Sequence, residues 1–452
     1  MKKNIFLKRF FCGAALALAL SAGTAAAEEA PPPDAKDEAQ KRHLSVDEAV
    51  SLAIANNLGL ESNRVDLNTK KRASNLVWNQ FLPIVGLSSG TAARAANAPT
   101  NPLASPWTIG VGFQIQWAQL NIAMFQGIQT IRDQYAAGAL TFNKAQIQLE
   151  RDVRKLYLQI LLQQETLKVQ EENLTLADQR VEVARSRYRA GLSPELTLLQ
   201  AQVTRDNLIP TVEQVRDSIK TFMANFAVLL GLPYETEFEV DSVALENFDI
   251  PFNMEELIRK ASQDKPEIVE LRANIVAAKS GRKAQAYLAW TPTITFGWNY
   301  TPTYADQTGA GGKWTDAGAF SVGLSWNING LLPFTTQGNA IRDLDDNITK
   351  LGISLAQTIQ GTEAEVYSKV FTLRQAKDSV RSQQGTVDLA IRSSQLTSQA
   401  FRAGLQDLIQ VQDAQNQLRQ SQLGLAQKQF DFLLGLIDLE YSLGVPFGTM
   451  LK

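Results

Sequence analysis

The chain has 452 residues, of which 44% are hydrophobic and 20% charged. A mean hydropathy of −0.15 excludes a polytopic helical membrane protein. Its 44 Lys and Arg do not exceed its 46 Asp and Glu, so no basic surface is available for phosphate and nucleic acid is not an expected partner.

In chain order, residues 1–27 read as a secretory signal: Lys2, Lys3, Lys8 and Arg9 form a basic start, Phe10 to Leu20 an apolar run, and Ala25-Ala26-Ala27 a small-residue cleavage site. Cys12 lies inside the apolar run rather than at the cut, so no lipid anchor is expected. Removing the signal removes the sole cysteine and lowers the 44 basic residues to 40 against 46 acidic ones, a net of −6. Residues 28–43, with Pro31-Pro32-Pro33 and mixed charges, form an extended leader. His43, the only histidine, sits there, so a His-based triad or zinc site is excluded. Neither catalytic residues, nor a cofactor, nor a metal is expected.

Four segments alternate apolar and polar residues with period two, at about 83–91, 108–117, 293–301 and 319–329. In the second, Ile109, Val111, Phe113, Ile115 and Trp117 share one face, against Thr108, Gly110, Gly112, Gln114 and Gln116. Such alternation fits a half-buried strand of a soluble sheet, and equally a strand between lipid and water. Two features favour lipid. All 7 tryptophans lie in or beside the two strand pairs, as interfacial girdles require, and the strands are joined by loops rich in Gly, Pro and Asn.

The remainder reads as helix. From Gln119 to Arg189 there is no proline, and Val153, Ile160, Leu167, Leu174, Val181 and Tyr188 follow a spacing of seven, the seam of a supercoiled pair. About 70 residues rising about 1.5 Å each would reach about 105 Å, the scale of a structure crossing the space between two membranes. Gly191 closes this helix, Ser193 is placed to cap the next and Pro194 to open its first turn. A return helix to about Leu230 comes next, bent at Pro210 and stopped by Gly231-Leu232-Pro233.

The chain contains itself twice. A shift of 213 lays Arg189-Ala190-Gly191-Leu192 on Arg402-Ala403-Gly404-Leu405, and carries the outgoing seam onto Val366, Leu373, Val380, Val387, Ser394 and Phe401. A slightly smaller shift lays Leu44 to Glu48 on Phe252 to Glu256. The halves run 44–251 and 252–452, each with short helices, a strand hairpin, a long helix, a tight tip and a return helix. The first return helix and the helix from Pro266 to Trp290 are expected to stack end to end, with Leu232 to Phe252 bulging at the junction. The fold class is α+β: a shared β-barrel with four strands per protomer, continued by an α-helical coiled-coil barrel. Four strands cannot close, because exposed edges in lipid leave backbone groups unpaired. Two copies would give eight strands and three would give twelve, and transport favours the larger number.

Together these residues resemble the TolC-type outer-membrane efflux proteins. The resemblance rests on Arg187-Tyr188-Arg189-Ala190-Gly191-Leu192-Ser193, Leu198-Leu199-Gln200-Ala201-Gln202 and Leu229-Leu230-Gly231-Leu232-Pro233 in the first half. Phe401-Arg402-Ala403-Gly404-Leu405, Asp413-Ala414-Gln415 and Leu439-Glu440-Tyr441-Ser442-Leu443-Gly444 answer in the second. It implies a homotrimer in the outer membrane reaching into the periplasm, serving as the passive exit duct of a tripartite efflux or type I secretion system. By that likeness, tips Ala190, Gly191, Leu192, Ser193 and Ala403, Gly404, Leu405, Gln406 dock onto a periplasmic adaptor that links an inner-membrane transporter. The resemblance also implies a constriction just past the second tip, at Asp413 with Asp407 and Gln410. A structural, non-conducting coiled coil anchored by a small barrel is the alternative from another class. The polar, Gly-rich strand faces favour a wet lumen and hence the duct.

Overall fold

The computed structural model describes residues 42–93, 107–236, 238–241, 253–305, 313–315, 318–403 and 405–450. Contacts divide the chain into units 1–42 and 43–452, and the helices and long strands all belong to the second. The signal reading at 1–27 lies outside the described residues, as does Gly404.

Short β1 (Arg42–Leu44) leads into α1 (Val46–Asn56) and α2 (Leu58–Asn75). Ser45 and Glu48 form a reciprocal cap on α1, the Ser45 N–H donating to Glu48 Oε2 at 3.0 Å. The hairpin β2 (Ile84–Ala93) and β3 (Trp107–Leu120) comes next. Then come α3 (Ile122–Arg189), 68 residues, and α4 (Glu195–Leu229), 35 residues. The second half repeats the order. β4 (Phe238–Val240), α5 (Met254–Asp264) and α6 (Pro266–Trp290) precede strands β5 (Thr293–Tyr300), β6 (Thr303–Ala305), β7 (Lys313–Thr315) and β8 (Gly318–Ser325). Helix α7 (Thr336–Arg402), 67 residues, and α8 (Leu408–Leu443), 36 residues, complete it.

Among the seam positions predicted by the spacing of seven, Leu167 and Leu174 are half-buried and the tip-end members Tyr188 and Phe401 are exposed. Most are buried, as at Val153, Ile160 and Val181 on α3 and Val366, Leu373, Val380 and Val387 on α7. Their partners Val212 and Phe226 on α4, and Phe432 and Leu439 on α8, are buried too. Helices α4 and α6 cover successive lengths of α3, as end-to-end stacking requires. Lys144 of α3 pairs with Glu270 of α6 at 2.5 Å, and Glu171 further along α3 meets Arg216 of α4 at 2.8 Å. Helix α4 runs through Pro210 without a break. Along another side of α3 lies α8, tied by Lys155–Asp438 (2.9 Å) and Arg419–Glu172 (2.8 Å).

The duplication is structural as well as sequential. Four helix ends close with the same hydrogen bond from the residue after glycine back five positions. These are Leu192 N–H to Arg187 O (2.9 Å) and Leu405 N–H to Ala400 O (2.9 Å) at the tips. Leu232 N–H to Ala227 O (2.8 Å) and Val445 N–H to Glu440 O (3.2 Å) close the return helices. At these last two closures Gly231 packs against the backbone of Asn56, which ends α1, and Gly444 against Asp264, which ends α5. The same joint is therefore built in each half.

At this level β1 pairs with β4, within the stretch expected to bulge. The buried Tyr157 hydroxyl reaches the carbonyls of Leu44 (2.8 Å) and Asp241 (2.9 Å), and burial pushes its pKa up to about 12. The C-terminal turn is held by the buried Glu440 carboxylate, which accepts N–H bonds from Gly448 and Met450 at 2.9 Å each.

Two local expectations are corrected. Ser193 does not cap α4; Pro194 occupies the cap position, extended at ψ 152°, with no side-chain bond. The strand expected over 319–329 ends at Ser325, because the Asn327 side chain accepts the Asn329 N–H at 3.1 Å and turns the chain into a short 3-10 helix at Ile328–Leu331.

Candidate functional site

The four long strands run in the order β2-β3-β5-β8, all antiparallel, so each half contributes one hairpin and the two meet through β3 and β5. The register fixes the faces. Leu87 opposes Phe113, Phe113 opposes Tyr300, Ile115 opposes Trp298, and Trp298 opposes Phe320. This face is apolar from edge to edge; Leu87, Phe113, Trp298 and Phe320 are exposed on the protomer, and Ile115 and Tyr300 are half-buried. The other face carries Gly86, Gln114 and Asn299 in register, then Ser88 against Gly112 and Thr295 against Gly323. None of the four long strands contains Asp, Glu, Lys or Arg.

Elementary solvation reads these faces. An exposed, continuous apolar surface of this extent does not face water, whereas hydroxyls, amides and bare backbone do not face hydrocarbon. We expect Val322→Arg, on the apolar face, to cost about 2 kcal/mol of folding free energy in lipid or detergent, and Ser321→Arg beside it to leave stability nearly unchanged. Urea titration of the refolded protein checks this, and equal losses at both positions would invert the face assignment. Strands β2 and β8 each pair on one side only, which leaves two open edges.

The sheet joins the helices through Asn121, which caps α3 by accepting the Ala123 N–H at 2.6 Å. Its amide donates to Thr293 Oγ1 at 3.0 Å, tying the start of α3 to β5. Neither this joint nor the register between hairpins was visible in the sequence, because both link residues about half the chain apart.

At the far ends of α3 and α7 lie the tips. Gly191 takes φ +70° and nothing approaches it. Leu192 and Leu405, equivalent under the repeat, are each 78% exposed. Ala190 and Ala403 are helix C-caps, and Ser193 and Gln406 lie in the turns. A groove of about 190 Å³ beside the first tip is lined by Arg180, Arg187, Ser193, Thr197, Ile409 and Gln412.

The acidic candidates separate into different roles. Asp407 is the N-cap of α8, and its backbone N–H donates to the Gln410 side chain at 3.4 Å, so both belong to a capping box. Asp413, by contrast, pairs with Arg180 of α3, whose Nε also donates to Gln412 at 3.4 Å. This cross-link between first and second halves was not foreseen from sequence. Its one signal was the arginine at 180, where the repeat equivalent is Ser393.

Four long strands free of charged residues, with one lipid face, one polar face and two open edges, continued by helices too long for a compact domain, define a subunit of a membrane β-barrel channel. Comparison with known proteins agrees. The model of the outer membrane efflux protein family matches residues 49–232 and 257–445. The chain is 22% identical over 390 residues to the outer membrane protein TolC of Vibrio cholerae, covering 80% of this chain and 82% of that one. It is 23% identical over 338 residues to the pyoverdine export outer membrane protein OpmQ of Pseudomonas putida, covering 72% and 69%. Among solved structures, the CmeC outer membrane channel of Campylobacter jejuni superposes with a TM-score of 0.71 at 13% identity over 88% of this chain and 85% of that one. VceC of Vibrio cholerae gives 0.68 at 14% identity over 89% and 96%. The chain belongs to the outer membrane efflux protein family. It is an outer-membrane exit duct that extends into the periplasm, in a family of channels rather than enzymes.

Proposed function

We propose that three copies of the chain close one twelve-stranded barrel and that the duct works with a periplasmic adaptor and an inner-membrane transporter. The open edges of β2 and β8 support the sharing of a barrel, since each must find a partner strand in lipid. Twelve strands leave a water-filled bore, whereas eight would be plugged by their own side chains. The adaptor reading is carried by the two tips. Leu192 and Leu405 stand fully offered at equivalent turns, with the neighbouring groove presenting an apolar floor and a cationic rim. In this reading Ala190, Gly191, Leu192, Ser193, Ala403, Gly404, Leu405 and Gln406 form the docking turns. Asp413 forms the constriction, held between α3 and α8 by Arg180, while Asp407 and Gln410 shape the start of α8 at the same mouth.

The test is a double substitution, Leu192→Asp with Leu405→Asp. Both side chains are exposed, so melting and native mass in detergent should stay at wild-type values, with a mass of three chains. Export in cells should fall at least about tenfold if two apolar anchors, each worth more than about 1 kcal/mol, are lost. Export at the wild-type level would remove the tips from the docking site, and a native mass of two chains would remove the twelve-stranded barrel.

A further inference from the structure

The polar face of the sheet is not uniform along its length. Gly86, Gln114, Asn299 and Ala319 form one row across the four strands. The next row toward the helices sets Gln116 between Ile84 and Gly297. On the loop side Ser88 faces Gly112 and Gly90 faces Gly110; on the helix side Thr295 faces Gly323 and Thr293 faces Ser325. Three exposed amides therefore stand in mid-sheet, between floors of glycine and hydroxyl.

Geometry makes these amides matter. Twelve strands about 4.8 Å apart and tilted about 40° give a barrel of about 24 Å between backbones. Glycine adds nothing to the wall and a hydroxyl side chain little, whereas the Gln114 side chain fills the space over Gly86 of the neighbouring strand, and a Gln that extends reaches about 5 Å inward. The rows of Gln114, Asn299 and Gln116 thus narrow the bore more than the glycine and hydroxyl rows beside them. Electrostatics sets their character. Charged rings sort ions by sign, and substitutions on a barrel's inner wall tune that choice. Here the four long strands carry no charge, and an amide both donates and accepts hydrogen bonds. Lys313 of β7, in register with Ala305 and Thr108 on this face, stands apart from the belt, toward the loop end of the sheet.

We propose that Gln114, Gln116 and Asn299 form a neutral amide belt that sets the bore of the barrel, so that the belt itself sorts solutes by size and hydrogen bonding and not by sign of charge. The inference rests on the three-copy exit-duct reading. It implies that neutral, zwitterionic and singly charged solutes of either sign share one path through the outer membrane. Any preference for sign arises away from the belt, at Lys313 on the loop side or at the helical mouth, where Arg180, Arg187 and Asp413 gather.

The test uses full-length protein in outer-membrane vesicles, with reagents supplied from the outside so that the state of the periplasmic mouth does not enter. In a Lys313→Gln background, Gln114→Cys is reacted with a cationic and an anionic methanethiosulfonate of similar size, and the rate ratio is divided by that of a free thiol. A sign-selective lumen enriches one reagent by about tenfold or more; the neutral belt predicts a ratio below that, and Asn299→Cys should repeat it. For the bore, Gln114→Ala combined with Asn299→Ala should admit larger polyethylene glycols from the outer side in bilayer recordings. A tenfold ratio overturns the neutrality, and an unchanged polymer cut-off overturns the belt as the bore-setting element. Labelling of Phe113→Cys in place of Gln114→Cys would instead reverse the faces and defeat the duct reading itself.

Discussion

Replacing Gly444 by alanine is expected to lower the stability of the protein by about 3 kcal/mol, and Gly231→Ala to do the same. Both glycines hold a left-handed backbone, at φ +64° and +74°, where a Cβ costs about 1–2 kcal/mol. Here the Cβ would also press into the backbone carbonyl oxygen of Asp264 or of Asn56, and backbone cannot rotate away as a side chain can. The joint between the short helix and the return helix would have to open in that half. Gly191 supplies the control, because its φ of +70° is equivalent but nothing lies within 4 Å of its would-be Cβ. Gly191→Ala should therefore cost only the conformational part, about 1 kcal/mol. Thermal unfolding of the three purified variants reads the difference. Equal losses at all three positions would show that conformation alone, and not the close approach, selects glycine.

Glu365→Ala should destabilise the second half by about 3 kcal/mol, at the lower end of what removal of one partner from a buried ionic cluster costs. Glu365 on α7 accepts from Lys265 Nζ at 2.6 Å and pairs with Lys369 at 2.5 Å, while Ser442 of α8 donates to it at 3.1 Å. The Lys265 side chain is only 11% exposed, so its ammonium would be stranded; Glu365 itself is 36% exposed, so water softens the loss. Burial by itself would raise the Glu365 pKa, but the hydrogen bonds and charges of the two lysines outweigh it and hold the carboxyl at about 2. A pKa depressed in the folded state contributes stability that is complete above the ordinary value of 4.5 and fades as pH falls toward about 2. The advantage of wild type over Glu365→Gln in urea titrations should accordingly shrink between pH 5 and pH 2. An advantage undiminished at pH 2 would mean that packing, and not charge, accounts for it.

Much of this architecture was legible residue by residue. Strands β2, β3, β5 and β8 announced themselves because period two is a local property of a pleated chain between two media. The seams from Val153 to Val181 and from Val366 to Val387 were legible for the same reason, since a spacing of seven marks the face a helix turns to its partner. The helical tips were visible through the repeated Arg-Ala-Gly-Leu. The limits of elements were less so: β8 stops at Ser325 because the Asn327 side chain captures a backbone N–H, and Pro194 took the cap position that Ser193 had been expected to fill. The mouth candidates Asp407, Gln410 and Asp413 lie within seven residues of one another in sequence, yet Asp413 is paired with Arg180 of the other half while Asp407 and Gln410 serve a helix cap.

By itself, then, the sequence determined the duplication, the kind of each long element, the side of each strand meant for lipid and the inability of four strands to close. All of these are written in periodicity or in short turn signals, and none depends on knowing what lies opposite. Only the tertiary structure decided that β3 meets β5, that Asn121 ties helix to sheet, that Gly231 and Gly444 receive the ends of α1 and α5, and that Glu365 lies between two lysines. Periodicity specifies a face but not its partner. A pair such as Arg180 and Asp413 comes together only when α3 and α8 lie side by side, which is settled by the packing of whole helices rather than by either residue.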